Sequence, residues 1–104
     1  MIKNQRTIKN PVELKGNGLF SGVPVTLRLR PAPADSGIAF VRTDLPNAPR
    51  IPVNPTSVTD KLRSVGLVSD EGVEIDTIEH LMSALAGLGI DNIEIDLSAQ
   101  AVPN

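Results

Sequence analysis

Apolar and polar positions alternate along this chain in short runs. In Val23-Pro24-Val25-Thr26-Leu27-Arg28-Leu29-Arg30, Val23, Val25, Leu27 and Leu29 share one side and Pro24, Thr26, Arg28 and Arg30 the other. A period of two over eight residues predicts a half-buried strand. Arg6 to Leu14, broken at Pro11, predicts an earlier extended segment, and Gly16-Asn17-Gly18-Leu19-Phe20-Ser21-Gly22 predicts a turn between the two. The pair reads as a hairpin with a longer loop. After the stiff Pro31-Ala32-Pro33 and the turn chemistry of Asp35-Ser36-Gly37, Ile38-Ala39-Phe40-Val41-Arg42 predicts a third strand. Four prolines between Thr43 and Pro55 predict an edge or irregular connection. Leu62 to Val68 and Val73 to Ile75 predict two more strands, joined by the polar turn Ser69-Asp70-Glu71-Gly72. Asn92-Ile93-Glu94-Ile95-Asp96-Leu97-Ser98 alternates again and predicts the last.

One segment has a helical period instead. Ile78, Leu81, Met82, Leu85 and Leu88 fall at i, i+3, i+4, i+7 and i+10, one apolar stripe on a helix from Thr77 to about Leu88. Asp76 or Thr77 is placed to cap its start, and Gly87 or Gly89 to end it. Strands, one helix and a final strand predict an α+β domain. Its expected architecture is a small mixed or antiparallel sheet with one main helix packed on one face. Residues 1–104 read as a single domain, and a chain of this length buries roughly two thirds of its unfolded surface.

Composition then removes several classes of function. Ten Lys and Arg stand against twelve Asp and Glu, a net charge of −2 without a basic cluster. With neither Trp nor Tyr present, nucleic acid and anionic membrane are not expected partners. The absence of cysteine excludes a disulfide framework, a thiolate nucleophile and a cysteine zinc site within this sequence. Leu81 to Ile90, the longest mostly apolar stretch, is too short to span a bilayer. The start, Met1-Ile2-Lys3-Asn4-Gln5-Arg6, lacks the apolar centre of a signal peptide. The expectation is a cytoplasmic soluble domain. Gly16 to Gly22 lacks the strand-then-helix context and Lys-Ser/Thr ending of a phosphate loop. Arg28, Arg30 and Arg42 form no evident cluster and are expected on solvated strand faces.

Candidate chemistry comes down to Glu79 and His80. Three readings stay open on the residues alone. Asp76-x-x-Glu79 fits a capping box, in which each side chain bonds the other's backbone N–H. His80 fits a plain polar residue of a first helical turn. Alternatively, His80 binds a metal and Glu79 handles the water beside it. Neighbouring helical residues point about 100° apart, so one would touch the metal and the other reach past it. A catalytic zinc takes three protein ligands and keeps one position open. With one histidine in the sequence, the remaining ligands must be Asp or Glu, or come from another polypeptide segment.

Thr77-Ile78-Glu79-His80-Leu81-Met82-Ser83-Ala84-Leu85-Ala86-Gly87-Leu88-Gly89-Ile90-Asp91-Asn92 closely resembles the helix–strand signature of the UDP-3-O-acyl-N-acetylglucosamine deacetylases, the zinc enzymes of lipid A biosynthesis. Gln5-Arg6-Thr7, Gly18-Leu19-Phe20-Ser21-Gly22, Leu29-Arg30-Pro31-Ala32-Pro33 and Gly37-Ile38-Ala39-Phe40-Val41-Arg42 agree in the same order. The resemblance implies the first half of a two-domain fold whose halves each have a small sheet, with helices packed between the two sheets. It implies that His80 is one Zn2+ ligand and Glu79 the general base. The other ligands, a His and an Asp, lie in the family's second half, as does a histidine that assists as acid. The family continues beyond the Val102-Pro103 position into an Asp-Gly-Ser stretch and a second helix. The implied reaction is hydrolysis of the N-acetyl group of UDP-3-O-acyl-N-acetylglucosamine, with this chain alone inactive. Implied partners are that substrate and either the second half or a second copy. The family pattern has His where Phe20 stands, and Thr-rich sequence where Asp60-Lys61-Leu62-Arg63-Ser64 stands. The alternative is a shortened, non-catalytic relative acting as a binding or structural module.

Overall fold

A computed structural model describes residues 4–17, 22–54, 58–60, 65–69, 72–76 and 78–103. Five strands form the main sheet: β1 (Val12–Asn17), β2 (Pro24–Pro31), β3 (Ile38–Arg42), β4 (Arg50–Pro52) and β8 (Ile93–Leu97). A second sheet contains β5 (Val58–Asp60), β6 (Val65–Val68) and β7 (Glu74–Ile75), and α1 spans Glu79–Gly87. The main sheet runs β1-β2-β8-β3-β4, and the small one β5-β6-β7. Every pairing is antiparallel except β3 with β8, where Ile38 lies opposite Ile93 and Arg42 opposite Leu97. Parallel neighbours need a long crossover, and here it carries β4, the small sheet and α1. The sheet is mixed and the helix packs on one face, the α+β architecture that alternation and helical period imply.

Register explains the core. Leu27 pairs with Leu97 and Ile95 with Phe40, which in turn pairs with Ile51. One face of four strands therefore carries Val25, Leu27, Ile93, Ile95, Leu97, Phe40 and Ile51, all buried. Each such side chain contributes roughly 1.5–3 kcal/mol when taken out of water. From the crossover, Leu67, Ile75, Ile78 and Leu85 close onto the same cluster, with Leu81 and Met82 at its margin. On β1 the cover ends. Val12 and Leu14 face the core side through their pairing with Leu29 and Leu27, yet remain 44% and 53% exposed.

Several expectations need correction. β1 begins at Val12, not at Arg6, and takes Gly16 and Asn17 out of the supposed turn. Residues 4–10 are not strand. They are tied down by polar contacts instead, with the Arg6 carbonyl accepting the N–H groups of Asp91 and Asn92 at 2.9 and 3.0 Å. The connection between Thr43 and Pro55 is an edge, as its prolines imply, and carries β4, whereas β5 was not anticipated at all. Leu88 belongs to the helical stripe by spacing but is 68% exposed, because the helix ends at Gly87 and the chain turns away. Gly89, at φ +69°, makes that turn. Its N–H reaches the Ala86 carbonyl and the Ile90 N–H the Leu85 carbonyl, a Schellman closure.

The outer face of the sheet is ionic. Arg30 forks onto Asp96 at 2.8 and 2.7 Å, and Arg50 onto Glu94 at 2.8 and 3.0 Å. Asp96 and Glu94 hold their arginines' pKa above the ordinary value, chiefly through these hydrogen bonds. Arg28 is exposed as expected. Arg42 is not. It shares the inward face with Phe40 and is only 7% exposed. Its fork holds Asp44 at 2.9 and 2.7 Å, and Nη1 donates to the Glu74 carbonyl at 2.8 Å, joining β3 to β7. Inside a protein a guanidinium is tolerated only when its donors are met in this way.

Candidate functional site

Glu79 and His80 open α1, as the first and second helical residues. Ile78 occupies the N-cap and has no side-chain capping bond to offer, and helical bonding starts from its carbonyl to the Met82 N–H at 2.9 Å. The capping box is therefore overturned. Glu79 sits two residues too early to be its acidic member, and Asp76 lies outside the helix altogether. Asp76 forms a parallel bridge with Ala101, giving its N–H to the Gln100 carbonyl at 2.7 Å. The other candidate cap, Thr77, lies outside the described residues.

Burial divides the first turn by role. Ile78 is sunk in the core, Glu79 is half-buried and His80 is exposed. The apolar residue fixes the turn, and the two polar ones present themselves at its edge. A carboxylate at a helix N-terminus is also favoured by the helix dipole. As an accessible imidazole on an anchored turn, His80 suits one metal ligand. Among the described residues no three His, Cys, Asp or Glu side chains converge on a common point.

The lead-in to α1 has its own supports, which the sequence pattern did not single out. Gln100 Nε2 donates to Asp76 Oδ2 at 2.8 Å and to Glu74 Oε2 at 3.3 Å. Arg42 holds the Glu74 carbonyl from the other side. For Arg42 the signal was present, since it continues the inward series Ile38, Phe40. For Gln100 none was. At the helix's far end, Asp91 and Asn92 of the signature meet Gln5 and Arg6 of the first matching segment. Asn92 is 3% exposed, accepts from the Gly37 N–H at 2.8 Å and donates to Gln5 Oε1 at 2.8 Å. Asp91 Oδ2 takes the Arg6 N–H at 2.8 Å. These four residues tie the chain's first described segment to the start of β8. Phe20 and residues 61–64 lie outside the described residues, as do any contacts they make. No helix among the described residues is long and apolar enough to cross a membrane.

A helix-borne Glu-His pair, half-buried and exposed in turn at the start of α1, is the chemistry-bearing feature that this small α+β layer presents. The particular family follows from comparison. Residues 5–104 match the family model of the UDP-3-O-acyl N-acetylglycosamine deacetylases, and the chain belongs to that family. It is 52% identical over 103 residues to the UDP-3-O-acyl-N-acetylglucosamine deacetylase of Mannheimia succiniciproducens, covering 99% of this chain and 33% of that protein. The Haemophilus influenzae deacetylase is 50% identical over 103 residues, with the same shares covered. That of Vibrio vulnificus strain YJ016 is 54% identical over 99 residues, 95% of this chain and 32% of the relative. The chain thus spans about a third of the length of the curated relatives it matches.

Proposed function

We propose that this chain supplies one part of the active site of a zinc-dependent deacetylase. The enzyme would hydrolyse the N-acetyl group of UDP-3-O-acyl-N-acetylglucosamine in lipid A biosynthesis, in the cytoplasm. The observation that carries the reading is the adjacency of half-buried Glu79 and exposed His80 on an anchored helical turn, in a chain that matches the family end to end. His80 would contribute one imidazole ligand, and the other ligands would come from the remainder of the deacetylase. Zinc, when bound, supplies Lewis acidity to the amide carbonyl and lowers the pKa of water beside it. Glu79 accepts a proton from the attacking water at a carboxylate oxygen. The water oxygen bonds to the carbonyl carbon, the C–N bond breaks, and acetate and the free amine leave, the amine taking up the proton.

Joining this chain to the remaining two thirds of the Mannheimia relative, in place of the matching third, tests the reading. The graft should release acetate from the UDP-linked substrate. The 104-residue chain alone should release none and bind Zn2+ only weakly in calorimetry. A folded graft without activity would sink the assignment. Sub-micromolar one-to-one zinc binding by the lone chain, lost in His80→Ala, would show a complete site where a partial one is described.

A further inference from the structure

The polypeptide entering α1 is gripped from two sides within three residues. From β3, the buried Arg42 donates to the Glu74 carbonyl. From the strand end after β8, Gln100 takes hold of Asp76 twice. Its carbonyl accepts the Asp76 N–H at 2.7 Å, and its Nε2 donates to Asp76 Oδ2 at 2.8 Å. The same nitrogen donates to Glu74 Oε2 at 3.3 Å, and the Val102 N–H closes on the Asp76 carbonyl at 3.3 Å. Only residues 77 and 78 separate this grip from Glu79, and Ile78 is itself immobilised in the core.

We propose that Gln100 is a positioning residue for Glu79 and His80, its side-chain amide fixing the strand end from which their helical turn departs. This rests on the deacetylase reading above. Glu74 and Asp76 stand two apart on an extended segment, so their side chains share one side. Two carboxylates brought together there repel each other. An amide nitrogen carries two donors and no charge, so one Gln side chain satisfies both oxygens and holds them in register. Gln100 is exposed, so its loss leaves the core intact. Its effect should appear in geometry more than in stability. A reacting group displaced by a fraction of an ångström loses rate rather than affinity.

The test uses Gln100→Glu and Gln100→Lys in the graft described above. Gln100→Glu adds a third carboxylate and removes the donor; Gln100→Lys brings donors and a positive charge to the same two oxygens. The expected result for Gln100→Glu is a kcat lower by about tenfold with KM unchanged within about twofold. Gln100→Lys should retain kcat, and both variants should melt within about 2 °C of the parent, the shift expected of a surface change. An unchanged kcat in Gln100→Glu, or an equal loss in Gln100→Lys, overturns the proposal. Amide exchange at Met82, whose N–H closes the first helical bond, gives a readout independent of activity. It should be faster in Gln100→Glu than in Gln100→Lys, and equal rates would overturn the proposal even if an inactive graft had already removed the functional reading.

Discussion

At the scale of single residues, the polar groups that look functional in the sequence turn out to have two different jobs. Asp91, Asn92, Gln5 and Arg6 belong to segments that resemble the deacetylase family, yet they tie the chain's first described residues to the start of β8. Arg42 is a second case, a cation on the core face whose Nε and both Nη atoms each donate a hydrogen bond. The Arg42 guanidinium holds the Asp44 carboxyl below its usual range, mainly by hydrogen bonding. A depressed carboxylate pKa contributes stability above the unfolded value of about 3.9, lost as pH falls through the lower folded value. Asp44→Asn should therefore be less stable than the parent near pH 6, with the two converging at the acid end. Urea midpoints from pH 6 to pH 2 measure this, and a difference that persists undiminished at pH 2 would contradict it. Inward placement of Arg42 was readable from strand alternation. Its partners were not, because Asp44 and Glu74 reach it through turns that no period encodes.

At the scale of elements, β2, β3 and β8 were legible almost to the residue, β2 and β8 from a side-chain period of two and β3 from a short apolar run in which Ala39 and Phe40 are both buried. The helix was legible in type and less so at its ends. Its start is set by tertiary contacts: Ile78 is buried, and Asp76 is pulled into a bridge with Ala101. Local capping chemistry at Asp76 lost to a long-range backbone pairing. β5 is three residues long, too short to show any period. The helix's far end obeys local rules, and two glycines there should respond with opposite signs. Gly89 has φ +69°, so Gly89→Ala should cost about 1 kcal/mol through left-handed strain, although nothing crowds the added Cβ. Gly87 is the last helical residue and also has open space around it. Gly87→Ala should gain up to about 0.5–1 kcal/mol by restricting the unfolded chain. Chemical denaturation of both variants decides, and a matching sign in the two would remove the Schellman account of this terminus.

At the scale of the whole molecule, α1 covers only part of the main sheet among the described residues. Val12, Leu14 and Val23 remain exposed on or beside the β1 end of the apolar face, and Leu88 is exposed at the helix terminus. Apolar surface left open in this way seeks a partner. The 104-residue chain should associate with itself as concentration rises, which sedimentation would record as an increasing average mass. A constant monomer mass at millimolar concentration would mean that these residues are tolerated singly in water. This uncovered edge was not visible in hydrophobic pattern alone.

The central claim is that Glu79 is present for chemistry. With the capping box excluded, Glu79→Gln should leave the melting temperature of the graft close to that of the parent, because the amide keeps the size and hydrogen-bonding reach of the carboxylate on this first helical turn. The amide cannot take a proton from water, so the deacetylation rate should fall by about 10²–10⁴-fold. Measuring both quantities on the one protein separates the roles of structure and catalysis. An unchanged melting temperature with that loss of rate is the predicted result; a Glu79→Gln graft that deacetylates at the parent's rate would contradict it.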